Sequence, residues 1–441
     1  MTAIPTAREG ATPEFAPLKP ALSRDEALAE ASRCLFCYDA PCTRACPTQI
    51  DVPAFIKKIA SGNLKGSART ILEANVLGYS CARVCPTEVL CEGACVLHDL
   101  HKRPIAIGQL QRYATEPVVR GRQALFRAAP SNGRRVAVVG AGPAGLSCAA
   151  ELVRAGYAVQ VYEAAAQAGG LNTVGVADYK LDRDAALAEV AWVESLGVTV
   201  QCGTRVGVDL PFERLLADHA AVFVGVGLGA VPPLGIPGEG LSGVRDVLEF
   251  IAELKTRPKA EVSLAGRRVA VLGGGNTAID GVTQASRLGA AKVYLVYRRG
   301  PAQMPAYAHE VELARLDGVE LVFCAQPVAV LGETRVEGLR CQRTRVNASG
   351  SAEPIPGETF ELPVELVLRA TGQEKRRAFW SAIPSLSLDA RGCVAVDAEG
   401  RTSHPQVWAG GDCANGGKEV VNAVAEGKRA ARSIHRVLEE G

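Results

Sequence analysis

The chain has 441 residues, enough for two or three domains, and 48% of them are apolar, so a sizeable buried core is easily formed. Its formal net charge of +2 gives no electrostatic basis for binding nucleic acid or an anionic membrane. Residues 1–20 lack the apolar stretch of a signal peptide, and no run in the chain reaches the length of a membrane span. We therefore expect a soluble protein whose first residues form a flexible arm.

Short helices are predicted along the amino-terminal part of the chain, at residues 22–32, 52–61, 65–75 and 104–115. The segment 120–133 is rich in Arg, Ala, Ser and Gly and predicts a linker.

The cysteines are concentrated among these helices, since eight of the 14 fall between Cys34 and Cys95. Their spacing is Cys34-x2-Cys37-x4-Cys42-x3-Cys46-Pro47 in the first half and Cys81-x3-Cys85-Pro86-x4-Cys91-x3-Cys95 in the second. In a long chain without a secretory signal this favours metal or cluster ligation over disulphides. Three close thiolates with a remote fourth suit a [4Fe–4S] cubane. Zinc sites, the main alternative, usually carry paired CxxC motifs, and only one CxxC is present.

A strand beginning near Val136 leads into a glycine-rich turn and a helix, and a second strand ends at Glu163. The residues of the turn are Gly140, Ala141, Gly142, Pro143, Ala144 and Gly145. Strand, turn, helix and terminal acid together form the fingerprint of a dinucleotide site. Gly140 permits the tight turn, Gly142 lets backbone N–H groups reach a pyrophosphate, and Gly145 allows close helix–strand packing. Glu163 is expected to accept hydrogen bonds from ribose hydroxyls.

Two further features indicate FAD at this site. Gly169-Gly170-Leu171 follows Glu163 after a short loop, as in flavoproteins with two dinucleotide-binding domains. Ala409-Gly410-Gly411-Asp412 resembles the second flavin motif of such proteins, where Asp412 would bond the ribityl or pyrophosphate region. One long helix after it would point its N-terminus at the flavin ring. Lys180 would add a positive charge nearby, although Arg is more usual at that position.

A second strand–turn–helix carries Gly273-Gly274-Gly275-Asn276-Thr277-Ala278, in which Ala replaces the third glycine, as the fingerprint allows. The next strand ends in Arg298-Arg299 rather than in an acid. Guanidinium groups there suit a 2′-phosphate and favour NADPH over NADH. A solvated basic strand end is the alternative, so the coenzyme choice stays open. Ala370-Thr371-Gly372 resembles the short motif where such a chain returns to its flavin domain.

These features predict an α/β protein with a helical N-terminal iron–sulphur domain followed by two nested Rossmann-like dinucleotide-binding domains. The predicted bounds are 1–127 for the domain with two [4Fe–4S] clusters, 134–233 with 371–441 for a discontinuous FAD-binding domain, and 234–370 for the NAD(P)-binding domain.

Hydride transfer between stacked rings needs correct positioning more than an acid or a base, so no catalytic side chain is predicted. The coenzyme insert contains Cys324 and Cys341 but no CxxC, which argues against a thioredoxin-reductase-like dithiol. Small buried residues are expected at Cys148, Cys202, Cys393 and Cys413.

Three segments resemble the N-terminal half of dihydropyrimidine dehydrogenase, and the resemblance continues to the last helix. The segments are CLFCYDAPCTRACPTQIDVPAFI, LGYSCARVCPTEVLCEGACVLH and PIAIGQLQRYATEP. By position, the resemblance implies one cluster held by Cys34, Cys37, Cys42 and Cys95, and a second held by Cys46, Cys85, Cys91 and Gln111. Cys81 would then be a spare cysteine, and the alternative for Gln111 is an ordinary helix-surface amide.

The FMN barrel and the C-terminal ferredoxin domain of the long enzyme have no counterpart here. The resemblance therefore implies the cytoplasmic electron-input subunit of the bacterial enzyme. Electrons would pass from NAD(P)H through FAD and both clusters to an FMN-containing partner that interconverts uracil or thymine and the 5,6-dihydro forms. Pro305 stands where the long enzyme has a third basic residue, which leaves use of NADH open.

Three alternatives remain. The glutamate synthase small subunit shares the cysteine block and both nucleotide motifs, but carries an acidic residue where Gln111 stands. The others are a NADH–ferredoxin-type transhydrogenase subunit and a redox-inert assembly subunit.

Overall fold

The computed structural model describes residues 15–440. The helices are α1 (Arg24–Ser32), α2 (Pro41–Ala45), α3 (Val52–Ala60), α4 (Leu64–Ala74), α5 (Gly78–Val84), α6 (Ile107–Arg120), α7 (Pro143–Arg154), α8 (Leu171–Val174), α9 (Arg183–Glu194), α10 (Phe212–Asp218), α11 (Val247–Thr256), α12 (Asn276–Arg287), α13 (Ala308–Leu316), α14 (Arg377–Ser381), α15 (Asp412–Asn415) and α16 (Val420–Glu440). The strands are β1 (Arg135–Val139), β2 (Ala158–Tyr162), β3 (Thr199–Gln201), β4 (Ala221–Val224), β5 (Val244–Asp246), β6 (Arg268–Leu272), β7 (Lys292–Tyr297), β8 (Glu320–Phe323), β9 (Ala325–Leu331), β10 (Gly338–Val346), β11 (Ala352–Leu362), β12 (Leu366–Arg369) and β13 (Val407–Ala409).

Helices α1–α6 form the cysteine-rich region, and their starts follow local capping rules. Ser23 and Glu26 form a capping box on α1, and Asn63 caps α4. The last helix, α6, begins later than predicted because carboxylates bind its first N–H groups: Glu30 accepts from Ala106 (2.8 Å) and Glu92 from Gly108 (2.9 Å). It also runs past residue 115, because its last turns are buried.

The predicted flexible arm falls partly outside the described residues, since residues 1–14 are not described. The part that follows is packed against the fold. The N–H of Leu18 donates to the carbonyl of Tyr179 (2.8 Å), and the ammonium of Lys19 donates to the carbonyl of Cys85 (3.0 Å). Residues 18 and 19 are therefore not part of a flexible arm.

The first sheet is parallel, with the strand order β13-β4-β1-β2-β3. Its central strand β1 is buried from Val136 to Val139, so side chains cover both of its faces, as expected for a parallel sheet. The long helix α16 packs against α7, and a side chain at Gly427 would place its Cβ 2.1 Å from the carbonyl oxygen of Ala144. Strand β13, from near the carboxyl end, is thus an integral part of this sheet.

The second sheet is also parallel, with the order β5-β12-β6-β7-β8, and a three-stranded antiparallel sheet β11-β10-β9 lies in the same part of the chain. Helices before the parallel sheets confirm the predicted fold class, whereas the exact domain bounds stay a prediction. Between residues 15 and 440 no helix combines the length and apolar character that a bilayer crossing requires.

Candidate active site

A cavity of about 1470 Å³ is lined by residues that directly follow strands β1, β4 and β13 of the first sheet and β6, β7 and β12 of the second. Carboxyl ends of parallel strands are where open α/β sheets bind ligands. The volume exceeds the ~300–1,000 Å³ typical of a pocket for one small molecule. Two nucleotide cofactors therefore have room in one connected space.

The first glycine motif forms a cradle beside this cavity. A Cβ at Gly145 would lie 1.9 Å from the carbonyl oxygen of Gly140, so the close packing of α7 on the turn requires glycine there. At Gly142 the position of a Cβ is open, with Gly170 as the nearest neighbour at 4.0 Å. The open space at Gly142 fits the pyrophosphate of a dinucleotide at the start of α7.

Two predicted acids lie at the ends of strands of the first sheet. Glu163, after β2, accepts N–H groups from Ala141 (2.8 Å) and Ala165 (2.8 Å). Asp412, after β13, accepts the N–H of Lys418 (3.2 Å), and burial raises the pKa of its carboxyl. Both carboxylates line the cavity, so ribose or ribityl hydroxyls are within the reach of this wall.

The helix after Asp412 differs from the prediction of one long helix. A short helix, α15, ends at Asn415, and α16 begins only at Val420. The break occurs because Gly416 and Gly417 adopt φ values of 89° and 113°, which a right-handed helix excludes.

The second glycine motif repeats the arrangement of the first. A Cβ at Gly275 would have no atom within 4 Å, and the side-chain oxygen of Asn276 accepts the N–H of Tyr307 (3.0 Å). Arg298 is exposed and Arg299 half-buried at the end of β7, and in the described chain neither has a carboxylate within salt-bridge distance. Pro305 lines the same cavity. Two unpaired guanidinium groups fit a phosphate ligand.

A buried ionic cluster that the sequence did not predict joins the segment between α8 and α9 to helices α12 and α13. The ammonium of Lys180 lies 2.7 Å from Asp280 Oδ1 and donates to Glu310 Oε1 at 2.7 Å, and all three side chains line the cavity. Burial alone would lower the pKa of Lys180, but Asp280, Tyr179 and Glu310 raise it overall. Burial raises the pKa of Glu310 to about 6, and Lys180 opposes the shift.

Only one part of this cluster has a signal in the sequence. Asp280 lies four residues after Asn276 and so shares its helix face, whereas Glu310 and Lys180 are 130 residues apart. Two carboxylates bind the ammonium of Lys180, and its role as a positive charge near the flavin stays a prediction.

The predicted cofactor-binding residues line the cavity, with the exception of Ala141 and Gly145, which are buried. Two arginines in the lining, Arg205 and Arg376, belong to no recognised motif, and burial lowers the pKa of Arg376.

The cysteines of the first predicted cluster lie near one another. Burial raises the pKa of Cys34, and the nearby thiols of Cys37 and Cys95 add to the shift. Burial likewise raises the pKa of Cys42 to about 11, with Cys34 and Cys95 as neighbours. Within residues 15–440 the side chains do not converge into a site with three or more His, Cys, Asp or Glu ligands for a single metal ion. Four thiols grouped from two distant segments are the donor set of a cubane.

A second group forms around Cys85. Burial raises the pKa of Cys91, which has Cys85 and Cys46 among its neighbours. The thiol of Cys85 hydrogen-bonds with Cys81, and this bond and burial raise its pKa. The side-chain nitrogen of Gln111 donates to the carbonyl of Gly78 (2.6 Å) on α5, the helix that leads to Cys85.

This second group is the one beside the cavity. Val84, the residue before Cys85, lines the cavity. Glu419 is within electrostatic reach of the Cys85 thiol and accepts the hydroxyl of Tyr307 (2.7 Å). A cluster bound at Cys85 would therefore be adjacent to the nucleotide sites.

The remaining cysteines follow the prediction with one exception. Cys148, Cys393 and Cys413 are buried, but Cys202 is exposed, and the prediction for it was wrong. Cys202 follows β3, the edge strand of the first sheet, where no neighbouring strand covers it.

Comparison with known proteins gives one family match for the cysteine-rich region and another for the nucleotide-binding region. Residues 134–427 match the family described as pyridine nucleotide-disulphide oxidoreductase, and residues 11–122 match "Dihydroprymidine dehydrogenase domain II, 4Fe-4S cluster". The chain belongs to the pyridine nucleotide-disulphide oxidoreductase family. Its cofactors are FAD, a nicotinamide coenzyme and [4Fe–4S] iron–sulphur centres, as predicted.

Relatives within this family extend over nearly the whole chain. The glutamate synthase [NADPH] small chain of Halomonas elongata is 37% identical over 437 residues, which are 95% of this chain and 92% of that protein. The NAD-dependent dihydropyrimidine dehydrogenase subunit PreT of Escherichia coli is 36% identical over 422 residues, or 96% and 97% of the two chains. The predicted relationship to the bacterial dihydropyrimidine dehydrogenase subunit is confirmed, and so is the relationship to glutamate synthase.

A solved structure supports the fold. Mycobacterium tuberculosis FprA in complex with NADPH superimposes with a TM-score of 0.58 at 23% identity, covering 71% of this chain and 85% of FprA. The protein is thus an electron-transfer flavin oxidoreductase of this family with an amino-terminal [4Fe–4S] domain.

Proposed function

We propose that this chain is the electron-input subunit of a dihydropyrimidine dehydrogenase located in the cytoplasm. It oxidises NAD(P)H and passes the electrons through two [4Fe–4S] clusters to an FMN-containing partner. The partner interconverts uracil or thymine and their 5,6-dihydro forms. When bound, FAD supplies the change from a two-electron hydride to single electrons.

The chain's own residues position the cofactors. The loop around Gly142 and the start of α7 hold the FAD pyrophosphate, while Glu163 and Asp412 bind hydroxyls or phosphate-linked groups of the same cofactor. The loop from Gly274 to Thr277 holds the coenzyme pyrophosphate at the start of α12. Support comes from the open Cβ positions at the second glycine of both motifs, since these leave room for a ligand next to backbone N–H groups.

The proposed cluster ligands are those implied by the resemblance, with Cys34, Cys37, Cys42 and Cys95 on one cluster and Cys46, Cys85, Cys91 and Gln111 on the other. The neighbourhoods of the thiols support this division. Because Val84 borders the cavity, the cluster at Cys85 receives electrons first, and the cluster at Cys34 passes them on.

The environment of Gln111 is the observation that favours the dihydropyrimidine dehydrogenase role over a glutamate synthase role. The Gln111 side chain is buried, and its nitrogen is held by the carbonyl of Gly78, so its oxygen is the atom free to face iron. In the resemblance described above, glutamate synthase small subunits carry an acid at this position. A glutamate synthase role is the second candidate, because the two named relatives are almost equally similar, at 37% and 36% identity.

Reconstitution with the FMN-containing pyrimidine subunit tests the proposal. We expect uracil-dependent oxidation of NADH or NADPH. Replacing Cys37→Ser should leave the reduction of a dye by NAD(P)H intact but abolish pyrimidine reduction. Cys202→Ser, an exposed cysteine outside both groups, is the control and should change neither rate. Pyrimidine turnover that survives Cys37→Ser would contradict the route, and glutamate formation with a large glutamate synthase chain would favour the second candidate.

A further inference from the structure

The ionic cluster of Lys180, Asp280 and Glu310 has one carboxylate more than it needs. The three side chains are nine-tenths or more buried, with exposed side-chain fractions of 9%, 10% and 10%. One ammonium faces two carboxylates, so these three groups together carry one negative charge when all are ionised, and Lys255 is a further cation within electrostatic reach of Asp280. Oxygen Oε2 of Glu310 is buried and has no hydrogen-bond partner among the described residues. A buried oxygen in this state costs free energy unless something binds to it.

The chemistry of the proposed function leaves one proton to be removed. A bound FAD would accept a hydride at N5 as the C4–H bond of the coenzyme breaks with its electron pair. Passing the two electrons singly to the iron–sulphur clusters would leave the proton from N5–H behind, and this proton needs a base. Neither the clusters nor NAD(P)⁺ can take it up, so the base must be a side chain or water.

We propose that Glu310 is this base and accepts the flavin proton on its free carboxylate oxygen. The inference rests on the proposed function, since it requires electrons to leave singly. Lys180 positions Glu310 by binding the other carboxylate oxygen, and Asp280 binds the same ammonium at 2.7 Å. The proton then passes to solvent through the cavity that Glu310 lines.

The surroundings of Glu310 keep its carboxyl able to accept and release a proton near neutral pH. Lys180 faces it and favours the ionised form, whereas Asp280 and Glu419 are like charges that favour the protonated form. Another titratable group near Glu310 is Tyr179, whose hydroxyl donates to Asp280 (3.2 Å). Tyr307 and His309 precede Glu310 in the chain by three residues and by one. With a pKa of about 6, Glu310 is mostly ionised at pH 7 and takes up a proton as the pH falls through 6.

The test uses the FAD- and cluster-loaded chain, reduced with one equivalent of NADPH and mixed with ferricyanide at several pH values. We expect the wild type to release a proton together with flavin reoxidation, and the rate to fall below pH 6. Glu310→Gln should reoxidise about 10²-fold more slowly at pH 7 without that pH dependence. In the resting protein, the infrared carbonyl band of a protonated carboxyl should appear below pH 6 and be missing in Glu310→Gln.

Glu312→Gln is the matched control, because Glu312 lies on the same helix and its side chain is half exposed. It should behave as the wild type. Unchanged reoxidation and proton release in Glu310→Gln, or no infrared difference between it and the wild type, would overturn the proposal. If Glu310→Gln fails to retain FAD, Glu310→Asp decides: it should keep a pH-dependent rate, and a flat profile would count against Glu310. If NADPH does not bleach the flavin of the wild type, this result would instead contradict the proposed function.

Discussion

The nucleotide-binding region and the cysteine-rich region reach their functional geometry in different ways. In the first, buried parallel strands place the glycine loops around the cavity, and the packing needs no cofactor to define it. In the second, short helices bring thiols together, and burial raises the pKa values of Cys34, Cys42 and Cys91. Metal binding must displace these thiol protons. We therefore expect the nucleotide sites to be preformed and the cluster sites to be completed by the metal.

The largest expected effect is a difference in iron content between variants of Cys85 and Cys81, which lie one helical turn apart. Cys85→Ser should remove the cluster beside the cavity, so that the iron content falls from about eight to about four per chain. Electron delivery to the partner should be lost while flavin reduction by NAD(P)H continues. Cys81→Ser should retain the iron, because Cys81 is proposed as a spare. Iron analysis and visible spectra of anaerobically purified protein measure both effects.

Loss of iron in Cys81→Ser with retention in Cys85→Ser would reverse this ligand assignment. Equal loss in both variants would instead indicate that the hydrogen bond between the two thiols supports the site.

Two glycines in one loop test whether the nucleotide site is preformed. Gly145→Ala should destabilise the FAD-free protein by about 3 kcal/mol, because its Cβ would meet the carbonyl of Gly140 at 1.9 Å. Gly142→Ala should change that stability by less than ~0.5 kcal/mol, because its Cβ has space. It should nevertheless weaken FAD binding by about tenfold or more, since the added methyl occupies room for the pyrophosphate. Chemical denaturation of apoprotein and FAD titration provide the measurements.

A stable Gly145→Ala apoprotein would show that the loop adjusts, and the site would then not be preformed. FAD binding unchanged in Gly142→Ala would place the pyrophosphate elsewhere.

Local sequence patterns were sufficient to predict the two strand–turn–helix units beside the cavity. A strand, a glycine turn and a helix are contiguous, so the pattern of residues alone assigns Gly140, Gly145 and Gly275. The positions of the elements in the cysteine-rich region were also close to the prediction, because caps such as Ser23 are local signals. Which thiols share a cluster, by contrast, came from a family resemblance.

Long-range pairings could not be predicted from the sequence. Glu310 and Lys180 meet across 130 residues, and neither belongs to a motif that requires the other. The break before α16 and the exposure of Cys202 were missed for a related reason. The first depends on the φ values of Gly416 and Gly417, and the second on which strand lies at the sheet edge.

Glu189 connects the two regions, and its carboxylate gives a pH-dependent test of that connection. It lies on α9, is 1% exposed, and accepts the N–H groups of Tyr79 (2.9 Å) and Ser80 (3.1 Å) at the start of α5. Burial raises its pKa from 4.5 to about 7. The folded state then binds a proton more tightly than the unfolded state, so stability should fall as pH rises from 4.5 to 7, by about 3 kcal/mol at most.

Glu189→Gln should remove this part of the pH dependence, which denaturant unfolding at pH 5 and pH 8 would detect. Glu194→Gln, on the same helix but without these bonds, is the control. An identical pH dependence in Glu189→Gln and the wild type would show that Glu189 does not titrate in this range.

The smallest expected effect concerns the choice between NADPH and NADH. In the nucleotide-binding region this choice depends on side chains more than on the backbone. Arg298 and Arg299 form no ion pair within the described chain, and Pro305 adds no charge beside them. If Arg298 binds the 2′-phosphate, Arg298→Ala should raise KM for NADPH about tenfold, equivalent to ~1.4 kcal/mol, and leave KM for NADH unchanged. Steady-state dye reduction with both coenzymes measures this.

Arg345→Ala provides the comparison, because Arg345 is exposed on β10 and does not line the cavity. Its KM values should equal those of the wild type. An equal rise for both coenzymes in Arg298→Ala would mean that the arginine binds a group common to them, such as the pyrophosphate. No rise for either would favour the solvated strand end. Since a guanidinium contact is made equally before and during hydride transfer, kcat should not change in either variant.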